Sequence, residues 1–135
     1  MLRTWGSYVE YRKLGRKSFQ EVCEEVMPVA EKNGLGVVGG LDMSGTLRSK
    51  GFAFPDMRIF LLCNAAYANI FLSAAPEMVS ILPCHLSITA RDGGVEIAAS
   101  LLSYLTRDMK LENDVKAVVE AADAKLKAVV DQLAS

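Results

Sequence analysis

Histidine occurs once in this 135-residue chain, at His85, and tryptophan once; cysteine occurs three times, at Cys23, Cys63 and Cys84. Three thiols and one imidazole make a zinc-like total, but C-x-x-C spacing is missing and Cys23 falls on an apolar helix stripe, so no metal site is expected. The opening "MLRTWGSYVEYRK" has a polar or charged residue every few positions and lacks the apolar stretch of a secretory signal. With an odd cysteine count this excludes a disulfide framework and points to reduced thiols in a cytoplasmic protein.

An excess of charge is missing too. Fifteen basic and sixteen acidic side chains leave a formal charge of -1, so there is no global field to recruit nucleic acid or an anionic membrane. The longest uncharged run, Ile59 to Pro76, "IFLLCNAAYANIFLSAAP", is interrupted by Asn64, Asn69 and Ser73. It changes from strand-like to helix-like halfway and lacks the flanking Lys/Arg asymmetry of a membrane span. Repeats and low-complexity linkers are also absent, and 51% apolar content over this length suits one core, so residues 1–135 are read as a single domain.

What is present can be placed on elements. "GSYVEYRKL" alternates Tyr8, Glu10 and Arg12 with Val9, Tyr11 and Lys13, which predicts a first strand. Ser18 with Glu21 forms a capping box, and Phe19, Val22, Cys23, Val26 and Ala30 follow on one helical face to about Asn33, past Pro28. "GLGVVGGLDM" contains a literal G-x-G-x-x-G in Gly34, Gly36 and Gly39. A dinucleotide fingerprint must follow a strand and open a helix. This one follows a helix and opens a β-branched run, so it reads as a strand whose glycines serve a bulge or close packing.

Ser44 is expected to cap a short turn over "GTLRSK", "MRIFLLCN" to be a strand, and Asn64 to cap a helix that exits at Pro76. That helix should present Ala66, Tyr67, Ile70, Phe71 and Ala74 on one face. Leu86, Ile88 and Ala90, then "RDGG", then Val95, Ile97 and Ala99 predict a hairpin. From about 112 to 134 a long helix carries Val115, Val118, Val119, Ala122, Leu126, Val129 and Leu133 on one stripe. Lys116, Glu120, Asp123, Lys125 and Lys127 are read as its solvated face. The expected class is α+β: a two-layer fold, its mainly antiparallel sheet covered on one face by helices, with a long C-terminal helix.

In this order of features the chain resembles the uncharacterised prokaryotic family called domain of unknown function number 302, over about residues 19–105. The resemblance is carried by "GLGVVGGLDM", "GFAFPDM", "RIFLLCNAAYA" and "LPCHLSI", the Cys-Asn and Leu-Pro-Cys steps being the most specific. It departs mildly where Ala65 and Ala66 replace a usual proline and His85 a usual basic or polar residue. It implies a compact α+β domain, often self-associating, and no activity.

Four residues are candidates for chemistry. Cys63 ends a strand directly before the asparagine that caps a helix, where backbone N–H groups and the positive end of the helix dipole favour a thiolate. Cys84 begins another strand behind Pro83, and two strand-end thiols that meet would permit a disulfide, sulfane-sulfur relay or soft-metal contact. Asn64 and His85, beside them in sequence, are the polar groups a ligand would find. His85 should point to the face opposite Cys84, since neighbours on a strand alternate.

The function expected is that of a non-enzymatic, self-associating module, a homodimer binding a small ligand or a protein, without cofactor. The alternative is a thiol-dependent redox or sulfur-transfer protein using Cys63 and Cys84. No acid/base pair or nucleophile constellation assigns an enzyme activity.

Overall fold

The computed structural model of the chain describes residues 10–135, so Tyr8 and Val9 of the expected first strand lie outside the described residues. The elements run β1 (Glu10–Gly15), α1 (Phe19–Lys32), β2 (Gly36–Leu41), α2 (Met43–Ser49), β3 (Met57–Cys63) and α3 (Ala65–Ala74). A 3-10 turn (Pro76–Ile81), β4 (Cys84–Arg91), β5 (Gly94–Ser100), α4 (Leu102–Leu105) and α5 (Asn113–Ala134) follow.

The start of α1 is fixed by the expected capping box: Ser18 Oγ accepts from the Glu21 N–H (3.2 Å), and the Glu21 carboxylate accepts from the Ser18 N–H (3.3 Å). The helix runs through Pro28 and buries Val22, Val26 and Ala30. It stops because Gly34, at φ 77°, reverses the chain, letting the Leu35 N–H reach the Ala30 carbonyl (2.9 Å) and the Gly34 N–H reach that of Glu31 (3.0 Å).

The glycine-rich stretch after it is β2, a sheet edge whose register with β3 shifts between Val37 and Gly39. At Gly40 a Cβ would lie 2.7 Å from the Ile59 carbonyl oxygen, so the glycine serves a close backbone approach. The cap of α2 differs from expectation. Asp42, not Ser44, accepts from the Gly45 N–H (3.0 Å), because the helix starts earlier than the spacing suggests. Ser44 is buried instead, and its hydroxyl accepts from the Met57 N–H (3.0 Å), tying α2 to β3.

The five strands pair in the order β1-β5-β4-β3-β2, every neighbour antiparallel. The hairpin is as expected: β4 and β5 pair from Leu86 with Ala99 to Arg91 with Gly94, with Gly93 at φ 80° in the turn. Partners across an antiparallel ladder share a face, and Leu86, Ile88, Val95, Ile97 and Ala99 are all buried on one side. There they pack with Val22, Val26 and Ala30 of α1 and with Leu126, Val129, Val130 and Leu133 of α5.

The other face carries Arg12, His85, Ser87, Thr89 and Glu96, so a half-solvated α+β sheet results. The stripe of α5 is spent on its own chain, against β1, β5, α1 and α3. Each Val or Leu buried this way is worth about 1.5–3 kcal/mol. α3 buries only Phe71, and Ala66 and Ile70 of its expected apolar face are exposed. It leans on α5 and the 3-10 turn rather than on the sheet. The uncharged run from Ile59 to Pro76 thus divides into β3, α3 and the start of the turn. Among the described residues no helix is long and apolar enough to cross a membrane.

Candidate functional site

At one end of the sheet β3 finishes with Cys63 and β4 begins with Cys84. The register sets Leu62 opposite Cys84 and Cys63 opposite Gly36 of β2, so the two cysteines are one step apart diagonally across the β3–β4 ladder. Cys84 shares the helix-covered face with Leu86 and Ile88. Cys63 stands at the strand's last position, where the chain leaves the sheet for α3. Both thiols are free, and both line one cavity of about 30 Å³, whose walls include Leu62, Tyr67, Phe71, Leu82 and Ala122. The sequence-expected thiol pair is therefore brought to a common hollow between β3, β4, α3 and α5.

At Cys84 the surroundings do not favour an ionised thiol. Burial, then Cys63, then Asp123 push the Cys84 thiol up to about 12, so at neutral pH it is an S–H among carbon atoms. Asn64 is engaged on both sides: its Oδ1 accepts from the Tyr67 N–H (3.0 Å) and its Nδ2 donates to the Gly34 carbonyl (3.0 Å). It caps α3, as expected, and ties that helix to the turn after α1.

Lys125 holds its ammonium 6.0 Å from the centroid of the Tyr67 ring, beside the cavity wall. His85 is exposed on the opposite face, paired with Leu61. It helps line a separate hollow of about 220 Å³ with Ser80, Ile81, Ser100, Leu105 and the chain at Cys84. Cys23 is remote from both, half-buried on α1. Among the described residues no group of three or more His, Cys, Asp or Glu is placed to hold a metal ion.

One residue near the cavity escapes the sequence reading. Asp123, read as part of a solvated face, is only 6% exposed. Its carboxylate accepts from the N–H groups of Leu102 (2.9 Å) and Ser103 (3.3 Å), capping α4 from outside that helix. The signal was there: position 123 lies on the helical row of Val119, Leu126 and Val130, all buried. α4, four residues long, has no periodicity of its own to announce it.

The family model described as "Domain of unknown function DUF302" matches residues 11–133. The chain belongs to this family. The DUF302 match reaches beyond the motif-bearing stretch of about 19–105 at both ends, taking in nearly all of β1 and of α5. A solved relative, the uncharacterised conserved DUF302 protein from Bacillus stearothermophilus, superposes with a TM-score of 0.84. It is 22% identical, and the alignment covers 93% of this chain and 98% of that one. At that identity the likeness speaks for the fold. No curated protein matches the chain.

Proposed function

We propose that this DUF302 chain is a non-enzymatic binding module whose ligand is a small apolar molecule held in the cavity between Cys63, Cys84, α3 and α5. One observation carries the reading: the cavity walls are carbon and sulfur, with Asn64 already hydrogen-bonded on both sides and the Cys84 thiol protonated. Such a surface rewards dispersion contact and apolar burial and offers nothing to orient charge. The hollow, at about 30 Å³, is water-sized. α3, whose one fully buried side chain is Phe71, is the wall that would give way to a larger guest. A cytoplasmic setting suits the reading because it keeps the three thiols reduced.

The test is a titration with toluene followed by amide NMR. Saturable shifts confined to Leu62, Tyr67, Phe71, Cys84 and Ala122, and lost when Ala122→Leu fills the hollow, support the reading. Shifts that never saturate, or that survive the filling, overturn it.

The second reading, thiol-dependent redox or sulfur transfer by Cys63 and Cys84, draws on their shared cavity, while the high pKa of Cys84 weighs against it. Maleimide labelling at neutral pH separates the two. A module keeps Cys84 unmodified until denaturation, and a thiol catalyst labels faster than a free thiol.

Self-association belongs to the same proposal and is placed at β2. Both sheet edges are candidates, but β1 presents Arg12 and Lys13 whereas β2, "GVVGGL", is uncharged, with Val38 60% and Leu41 45% exposed. A second copy is its natural occupant, since antiparallel pairing of two identical edges satisfies the same backbone groups on both sides about a two-fold axis.

A further inference from the structure

A wide cleft lies at the other end of β3 from the cysteine cavity. It measures about 630 Å³ and is bounded by the first turn of α1, by Cys23 and Glu24, and by Asp42, Arg48, Asp56 and Arg58. Its origin is a break in pattern. Arg58 pairs with Ile88 in the β3–β4 ladder, and Ile88 is fully buried on the helix-covered face. Cross-strand partners share a face, so Arg58 occupies a position where the rows of β3, β4 and β5 otherwise place Phe60, Leu62, Leu86 and Ile97. A cation there departs from the local rule for a core-facing strand, and such departures mark functional positions when no structural partner accounts for them.

The cleft's other charges have partners. Asp42 Oδ1 accepts from the Gly45 N–H and from Ser44 Oγ, both at 3.0 Å. The Arg48 guanidinium donates to the Phe54 carbonyl (2.8 Å) and to Asp56 Oδ1 (3.0 Å). Glu24 accepts from Gln20 (3.3 Å). Arg58 has only a long ion pair, to Asp42 Oδ2 at 3.9 Å, beyond hydrogen-bond length. Among the described residues the guanidinium has no hydrogen bond, and the Arg58 side chain is 45% exposed and lines the cleft. Beside it are Phe19, half-buried, and the Cys23 thiol, which burial pushes up and the Arg58 charge pulls back down.

From this geometry we infer that the cleft is a second binding site, for a small anion whose carboxylate or phosphate group is received by Arg58 and whose carbon part rests on Phe19 and Cys23. A guanidinium presents a planar fork of donors that a carboxylate or phosphate meets with two parallel hydrogen bonds. The volume is that of ordinary small-molecule sites.

The test uses sodium benzoate and sodium phosphate as separate probes at ionic strength held constant with chloride, followed by amide NMR. We expect saturable shifts at Gln20, Cys23 and Arg58, with benzoate response assigning the carboxylate class and phosphate response the phosphate class. Arg58→Gln should weaken binding about tenfold or more, and Arg58→Lys less. Absence of saturation with both probes, or equal binding by Arg58→Gln, overturns the inference. Should Arg58→Gln fail to fold, alkylation of Cys23 in the unaltered chain decides. Slowing by the probe relative to equal chloride supports the site, and an unchanged rate rejects it.

Discussion

A carboxylate held at 6% exposure without a cation against it needs donors, and Asp123 finds them in the backbone N–H groups of Leu102 and Ser103. These bonds join α5 to the chain that leaves β5, beside the wall that Ala122 and Leu126 give the cavity. Asp123→Ala should therefore cost about 2–4 kcal/mol, since it strands two N–H groups and removes charge-assisted bonds. Asp123→Asn, which keeps one acceptor, should cost less, and urea unfolding monitored by circular dichroism measures both. At this scale the sequence was legible where a side chain acts on its near neighbours. The Ser18–Glu21 box and the Asn64 cap are read from spacing alone. It misled at Asp42 and Ser44, where two capping types adjoin and the difference is a hydroxyl reaching Met57 thirteen residues on. For Asp123 the mixed charges around it hid a place on the buried row.

The elements were legible in proportion to their periodicity. α5 and the β4–β5 hairpin repeat an apolar spacing often enough to leave one reading, and both occur as expected. α3 was correctly placed, but its apolar face was over-read, because a helix made mostly of alanine and other apolar residues has little amphipathicity to orient it. Leu126 lies at the centre of the α5 stripe, fully buried between the sheet core and the cavity. Leu126→Ala should destabilise the chain by about 2–5 kcal/mol, the range for a core leucine whose surroundings relax incompletely. An equivalent truncation at exposed Leu14, 72% accessible, should change stability by less than about 0.5 kcal/mol. Thermal unfolding of the two variants, side by side, gives the contrast.

For the whole molecule, class and layering followed from the sequence because strands outnumber the helices between them and the last pair is joined by a tight turn. Strand order did not, since it depends on long-range pairing: β1 closes against β5, eighty and more residues away, and leaves β2 as the uncharged edge. If two copies meet at that edge, Val38→Lys should shift the chain from dimer to monomer in sedimentation velocity at micromolar concentration without loss of helix content. A species unchanged in size would move self-association away from β2. The proximity of Cys63 and Cys84 was anticipated as a possibility of layout. That they share an apolar hollow depended on how α3 and α5 close over the strand ends, which no local pattern encodes. Arg58 drew no notice in the sequence because its neighbours Met57 and Ile59 made the whole run read as a buried strand.

The apolar character of that hollow is the centre of the functional reading, and diffraction from a crystal of the chain pressurised with xenon tests it most directly. A dry cavity lined by carbon and sulfur takes up xenon, whereas a polar one holds ordered water. The prediction is a single strong anomalous peak between Cys84, Leu62, Phe71 and Ala122, absent after Ala122→Leu. A hollow that excludes xenon and shows instead water hydrogen-bonded to Asn64 or the thiols would contradict it.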